Sequence, residues 1–238
     1  MSKNHLIIGL GGTGGNILCE MRKRIYEEFR SNEAKGVYID YLYVDSSPSD
    51  LDDRSKWKTM GGSVHLLESQ KVSIHGVNAN VLNNLNKYPG IRSFISPEDR
   101  KLLDDLGSLI TDGIGGQRRR LGRLLFSNNL NGEIAKSFAT RLKGSVQRLT
   151  DTSTENEVIF HVCAGLAGGT GSGSIIDTVA QIRKEYAPLP GSSNPYKLNL
   201  YLYVPEIIIA TPRHNAGYYQ ANGYAALLEL NAISIEGE

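Results

Sequence analysis

The chain has 238 residues and a formal net charge of +1, a size that suits one large domain. Its 40% hydrophobic content is ordinary for a globular chain. Together these figures exclude a disordered polyelectrolyte and a broadly basic nucleic-acid coat. The two cysteines, Cys19 and Cys163, lie far apart in apolar stretches. That pattern predicts buried free thiols rather than a disulfide framework or a zinc site. No apolar run approaches the ~18 residues of a membrane span. The N-terminus runs straight into a strand-like segment, without the pattern of a signal peptide. A cytoplasmic chain with no membrane or nucleic-acid partner is expected.

Glycine stands out, with 26 residues against an average near 7% of a chain. Half of them fall in three short clusters: Gly9–Gly15, Gly113–Gly116 and Gly165–Gly173. In chain order, Leu6–Leu10 reads as a buried strand that stops at glycines. Thr13–Arg30 has helical spacing, with Ile17, Met21, Ile25 and Phe29 along one face. Tyr38–Val44 is a strand that ends at the turn Asp45-Ser46-Ser47-Pro48. Val72–Ile74 is a short strand, and Pro97–Leu109 a short helix capped by Ser96. Gln117–Leu149 is mostly helical, with a break at Gly132. Val158–Cys163 is a strand, Ser174–Tyr186 a helix and Ala187–Pro195 a loop. Leu198–Val204 is a further strand and Ala216–Ile233 a final helix. Alternating strands and helices predict an α/β fold, a three-layer Rossmann-like, mostly parallel sheet flanked by helices. Residues 1–238 are expected to form a single domain.

Gly9-Leu10-Gly11-Gly12-Thr13-Gly14 fits the G-x-G-x-x-G pattern between a strand and a helix. Glycine lets the backbone approach a phosphate, and the helix start offers free N–H groups and a positive dipole end. An acidic residue at the end of the second strand would then bind a ribose, and Asp45 is suitably placed. An NAD(P)-dependent oxidoreductase is therefore one reading, and a structural module without nucleotide another. The second cluster weighs against the first of these. Ala167-Gly168-Gly169-Thr170-Gly171-Ser172-Gly173 repeats the strand–glycine–helix arrangement on a later strand. A dinucleotide domain has no use for it, and no Gly-Lys-Ser/Thr follows to make a P-loop. Two such loops at neighbouring strand ends would wrap one polyphosphate from both sides.

In this context residues 167–173 resemble the Gly-Gly-Gly-Thr-Gly-Ser/Thr-Gly signature of the tubulin/FtsZ family, with Ala167 replacing the first glycine. Gly11-Gly12-Thr13-Gly14-Gly15-Asn16 is similar to that family's opening phosphate loop. Asp45 and Ser46 fall where the family has the loop after its second strand. Asp112-Gly113-Ile114-Gly115-Gly116-Gln117 is similar to the loop that closes over the γ-phosphate. The run Arg118-Arg119-Arg120-Leu121-Gly122-Arg123 resembles a divergent bacterial group of tubulin-like proteins. Tyr203-Val204-Pro205-Glu206 with Arg213 resembles the ribose- and base-side loop.

The resemblance implies GTP or GDP with Mg²⁺, held by the glycine loops with Thr170 and Ser172 as hydroxyl donors. It also implies head-to-tail filaments in which an acidic loop of the next subunit completes hydrolysis. That loop, the central helix before it and the second domain are expected to lie outside these 238 residues, as in a fragment of a longer protein. Nucleotide binding is therefore expected, hydrolysis by this chain is expected to be poor, and no residue is assigned a catalytic role. Of the arginine run, one side chain is a candidate for a phosphate contact. Asn222 is a further candidate for the nucleotide.

Overall fold

A computed structural model describes residues 4–76, 80–110, 117–129, 137–153, 155–188, 190, 195–205 and 218–235. Strand β1 (Asn4–Leu10) leads into helix α1 (Gly11–Phe29), and β2 (Tyr38–Asp45) follows. A short helix at Pro48–Asp52 and a two-residue hairpin at Lys58–Thr59 and Gly62–Ser63 precede β3 (Lys71–Ser73). Helices α2 (Arg100–Ile110), α3 (Arg119–Asn129) and α4 (Phe138–Thr152) come next. Then follow β4 (Val158–Gly165), α5 (Thr170–Glu185), β5 (Tyr196–Tyr203) and α6 (Tyr219–Ile235).

The five strands form one parallel sheet in the order β3-β2-β1-β4-β5. β1 sits at the centre because its sequence is apolar on both faces, the mark of a covered parallel strand. Leu6, Ile8 and Leu10 enter the larger core with Leu42, Val44, Phe160 and Val162, under α3, α4 and α5. Ile7 faces the other way, with Tyr41, Tyr43 and Cys163, under α1. This gives the expected three layers. The rings of Phe126 and Phe138, 5.1 Å apart, join α3 to α4 within the larger core. Both cysteines are buried and free, and burial pushes the Cys163 thiol up to about 11. Among the described residues no helix is long and apolar enough to cross a membrane.

Two helix starts that bear on the site come earlier than expected. α1 begins at Gly11 and α5 at Thr170, each inside its glycine cluster. Low helix propensity hides such starts in the sequence. They form because a glycine admits a neighbouring backbone that any side chain would exclude. The helix expected from Pro97 begins at Arg100, and Asp99 caps it by accepting from Leu102 N at 3.1 Å. Ser96 instead accepts from Glu98 N at 3.3 Å. The long helical stretch Gln117–Leu149 is α3 and α4, and Gly132 lies outside the described residues.

Candidate nucleotide site

β1 and β4 are neighbours, with Leu10 paired in register to Ala164. Both strands therefore release their helices at one place on the carboxyl edge of the sheet. Neither α1 nor α5 has a side-chain cap or an acidic residue in its first turn. The first-turn N–H groups of an α-helix have no partner within it. Two positive dipole ends thus converge with their donors unclaimed by caps, which is an anion-binding arrangement.

Gly11 has φ +67°, the left-handed turn that ends β1. A Cβ there would stand 2.9 Å from Gly171 N, and one on Gly171 would stand 2.7 Å from Leu10 O. These two glycines let the loops touch. Gly14 lets α1 pack against β1 and β4, since a Cβ there would lie 2.6 Å from Gly9 C and 2.7 Å from Cys163 O. A Cβ on Gly15 would run into the Tyr43 ring, and one on Gly173 would meet Arg119 O and Arg123 N. Gly12 and Gly168 behave differently. Among the described residues, no atom beyond the local backbone lies within 4 Å of a Cβ on either. One from each loop, they are the places where a ligand can reach bare backbone. Thr13 and Asn16 are exposed beside Gly12.

The loop after β2 closes a third side. Ser46 Oγ and Thr170 Oγ1 are hydrogen-bonded at 2.7 Å, and both residues are buried. Asp45 is buried too. It accepts from the Tyr43 hydroxyl at 2.8 Å and from Ser47 N at 3.1 Å. Burial raises its carboxyl above the usual range, against those hydrogen bonds. The structure therefore places Asp45 as an internal brace of the loop rather than a group turned to a ribose.

Two members of the second cluster make contacts inside the protein. Ser172 is fully buried and accepts from Arg119 Nε at 3.1 Å, so its hydroxyl is turned into the protein. Gly173 lies at the crossing of α3 and α5, where Gly122 faces Gly169 in the same way. The four arginines take four separate directions. Arg118 lies over the Tyr218 ring at 5.6 Å, and Arg120 reaches Asp99 at 3.7 Å. Arg123 pairs with Asp177 at 3.1 Å and covers Phe94. Arg119 is buried and forks onto Glu229, at 2.8 and 2.6 Å. Burial alone would raise the Glu229 carboxyl; the hydrogen bonds and charge of Arg119, helped by Arg123 and Arg120, outweigh it and hold the group low.

Asn222 does not point to an open site. Its side-chain amide donates to Gln117 O at 2.7 Å and Ala167 O at 3.0 Å, tying α6 to the second loop. Gln117 Oε1 is buried without a hydrogen-bond partner among the described residues, and a buried acceptor of this kind is ordinarily paired. Gly115, Gly116, Glu206 and Arg213 lie outside the described residues. Among the described residues no cluster of three or more His, Cys, Asp or Glu is placed to hold a metal ion. Sequence reasoning gave no role to Glu229 or Gly122. Their partners are 110 residues away for Glu229 and across a helix crossing for Gly122, so no local signal existed.

Fold and site together define a Rossmann-like α/β domain with an anion cradle between two helix N-termini. The sequence family described as "Tubulin like" matches residues 6–238. The chain belongs to that tubulin-like family. Solved structures agree on the fold. CetZ1 from Haloferax volcanii, a GDP-bound monomer, is 16% identical, with 94% of this chain and 47% of that one covered at a TM-score of 0.51. CetZ from Methanosaeta thermophila strain DSM 6194 is 12% identical, with 98% and 43% covered at 0.55. The chain thus spans less than half the length of each. No curated protein sequence matches it.

Proposed function

We propose that this domain binds a guanine nucleotide, GTP or GDP, with its phosphates between the N-termini of α1 and α5. The observation that carries this reading is the contact of the two uncapped helix starts, with Gly12 and Gly168 open beside it. The cradle fits a chain of phosphates, since each loop offers backbone donors from its own side. Thr13, Asn16 and Thr170 lie at its edge, and Gln117 Oε1 is an acceptor left over nearby. The GDP bound in the CetZ1 structure of the same fold supports guanine over other bases. Mg²⁺ would be held by the phosphates themselves and would keep most of its water, as this ion usually does. In the whole protein we infer head-to-tail self-association, with hydrolysis completed by a neighbouring subunit.

A dinucleotide reading is not favoured. It needs the Asp45 carboxylate at a ribose, and that carboxylate is buried against Tyr43 and Ser47. Thermal-shift measurements with GDP, GTP, ATP, NAD and NADP, with and without Mg²⁺, test the choice. Stabilisation by GDP and GTP at lower concentration than by ATP is expected. A shift with NAD alone would overturn the proposal, and no shift with any ligand would leave the domain as a structural module.

A further inference from the structure

We propose that Arg119 is a positioning residue of the phosphate cradle and that Glu229 sets it, so that the pose of α6 and the affinity for a phosphate group are linked. This rests on the nucleotide reading above. Ser172 is the third residue of α5. Gly173 N already donates to Gly169 O at 2.8 Å. The helix itself therefore offers no partner to the N–H groups of Thr170, Gly171 and Ser172, and these are the donors α5 presents to an anion. Arg119 holds that turn from behind, through its Nε on the buried Ser172 hydroxyl at 3.1 Å.

Arg119 has little freedom to do otherwise. Its backbone sits at the crossing of α3 and α5, where Gly173 lets the two helices touch. Its side chain is 9% exposed. The remaining guanidinium nitrogens reach both Glu229 oxygens, at 2.8 and 2.6 Å, in the paired geometry a planar fork provides. A lysine ammonium cannot hold a carboxylate in that fork and a hydroxyl from the side as well.

Glu229 belongs to α6, as does Asn222, which bridges Gln117 O and Ala167 O. The two residues are about two helical turns apart. α6 thus grips the loops at two points, one of them through Arg119. Movement of α6 must break the fork or pull on Ser172. By linkage, a ligand that fixes the first turn of α5 also favours the docked pose of α6, and by the same factor.

The test is calorimetric titration of the full chain with GDP and with guanosine. Circular dichroism checks that each variant is folded. Ser172→Ala and Arg119→Lys are expected to weaken GDP about tenfold and leave guanosine within about twofold, the cost of one backbone donor that is no longer held in place. Glu229→Gln should weaken GDP about threefold. The double variant Arg119→Lys/Glu229→Gln should bind no more weakly than Arg119→Lys alone, because both act through one fork. A merely structural role would lower the melting temperature without changing the ratio of GDP to guanosine affinity. An unchanged ratio in folded Ser172→Ala and Arg119→Lys overturns the positioning role and leaves the nucleotide reading intact. Absence of GDP binding in the unsubstituted chain sinks both.

Discussion

Gly168 and Gly171 are three residues apart, yet their substitution by alanine should have opposite effects. A Cβ on Gly171 would stand 2.7 Å from Leu10 O and 3.3 Å from Gly165 O, both backbone atoms. The first is about 0.6 Å inside the closest ordinary C···O approach of about 3.3 Å. Relief requires β1 or the second loop to move, and overpacking of this kind costs about 1–3 kcal/mol. For a chain of this size each kcal/mol is about 2–4 °C of melting temperature, so Gly171→Ala should lower it by about 2–12 °C. A Cβ on Gly168 meets no atom of the described residues within 4 Å beyond its chain neighbours, and the backbone there is not left-handed. Gly168→Ala should therefore hold stability or raise it by about 0.4–1 kcal/mol, through a less flexible unfolded chain. Its effect falls on the ligand instead. The methyl group occupies the approach to bare backbone, and losing one charge-assisted hydrogen bond there costs about 1.5–3 kcal/mol, or tenfold to a hundredfold in GDP affinity. Differential scanning fluorimetry with and without GDP reads both effects. Equal melting temperatures for Gly171→Ala and the unsubstituted chain would refute the packing argument. Unchanged GDP affinity in Gly168→Ala would refute the assignment of the open face.

Three further outcomes follow from the same contacts. Tyr43→Phe removes the hydroxyl that donates to buried Asp45, and urea denaturation should show a loss of about 1–3 kcal/mol. Asn222→Ala leaves two carbonyls, Gln117 O and Ala167 O, without their shared donor; a similar loss is expected, with faster amide exchange at the start of α6. His5 Nδ1 and His161 Nε2 lie 2.9 Å apart, and His161 Nδ1 is 3.2 Å from the Tyr201 hydroxyl. Burial pulls both imidazoles below 6.5, and among the described residues their groove holds no Asp or Glu. The unfolded chain then takes up protons first, so this pair supports the fold above about pH 6.5 and loses that contribution as pH falls through the lowered values. Melting temperatures between pH 7 and 5 should drop more steeply for the unsubstituted chain than for His161→Gln. Parallel curves would show that folding does not lower the proton affinity of the pair.

The strands, the three layers and the three glycine clusters were legible because they are local: apolar runs that end at glycines need no knowledge of the rest of the chain. The roles of individual glycines were not. Gly168 and Gly171 look alike in sequence, and only the position of Leu10 O, about 160 residues earlier, separates a packing glycine from an open one. Ser172 misled for the same reason. A hydroxyl beside glycines suggests a phosphate donor, but Arg119 lies behind it and claims the oxygen. The arginine run had no single meaning because consecutive helical residues point about 100° apart, and each side chain found a different neighbour. Asp45 satisfied a spacing rule while Tyr43, two residues before it, took its carboxylate inward.

Topology explains why two loops are present at one place. In the order β3-β2-β1-β4-β5 the chain runs outward from β1 in one direction and returns to β1's other side with β4. That reversal leaves a crevice at the carboxyl edge, where open α/β sheets bind their ligands. A dinucleotide domain fills the crevice from the loop after its first strand. Here the loop after β4 is equally glycine-rich, and it is fastened to the first by the Gly11–Gly171 contact and to the β2 loop by Ser46–Thr170. A second helix N-terminus adds donors and partial positive charge where one already exists, and like dipole ends repel. Bringing two of them into contact without a capping carboxylate costs free energy in the empty protein. An anion with more than one phosphate is the ligand that offsets this, since it can face both helix starts at once. A single-loop ligand leaves the second start uncompensated, so affinity should rise steeply from guanosine through GMP to GDP. A flat series would mean that the phosphates do not lie between the two helices.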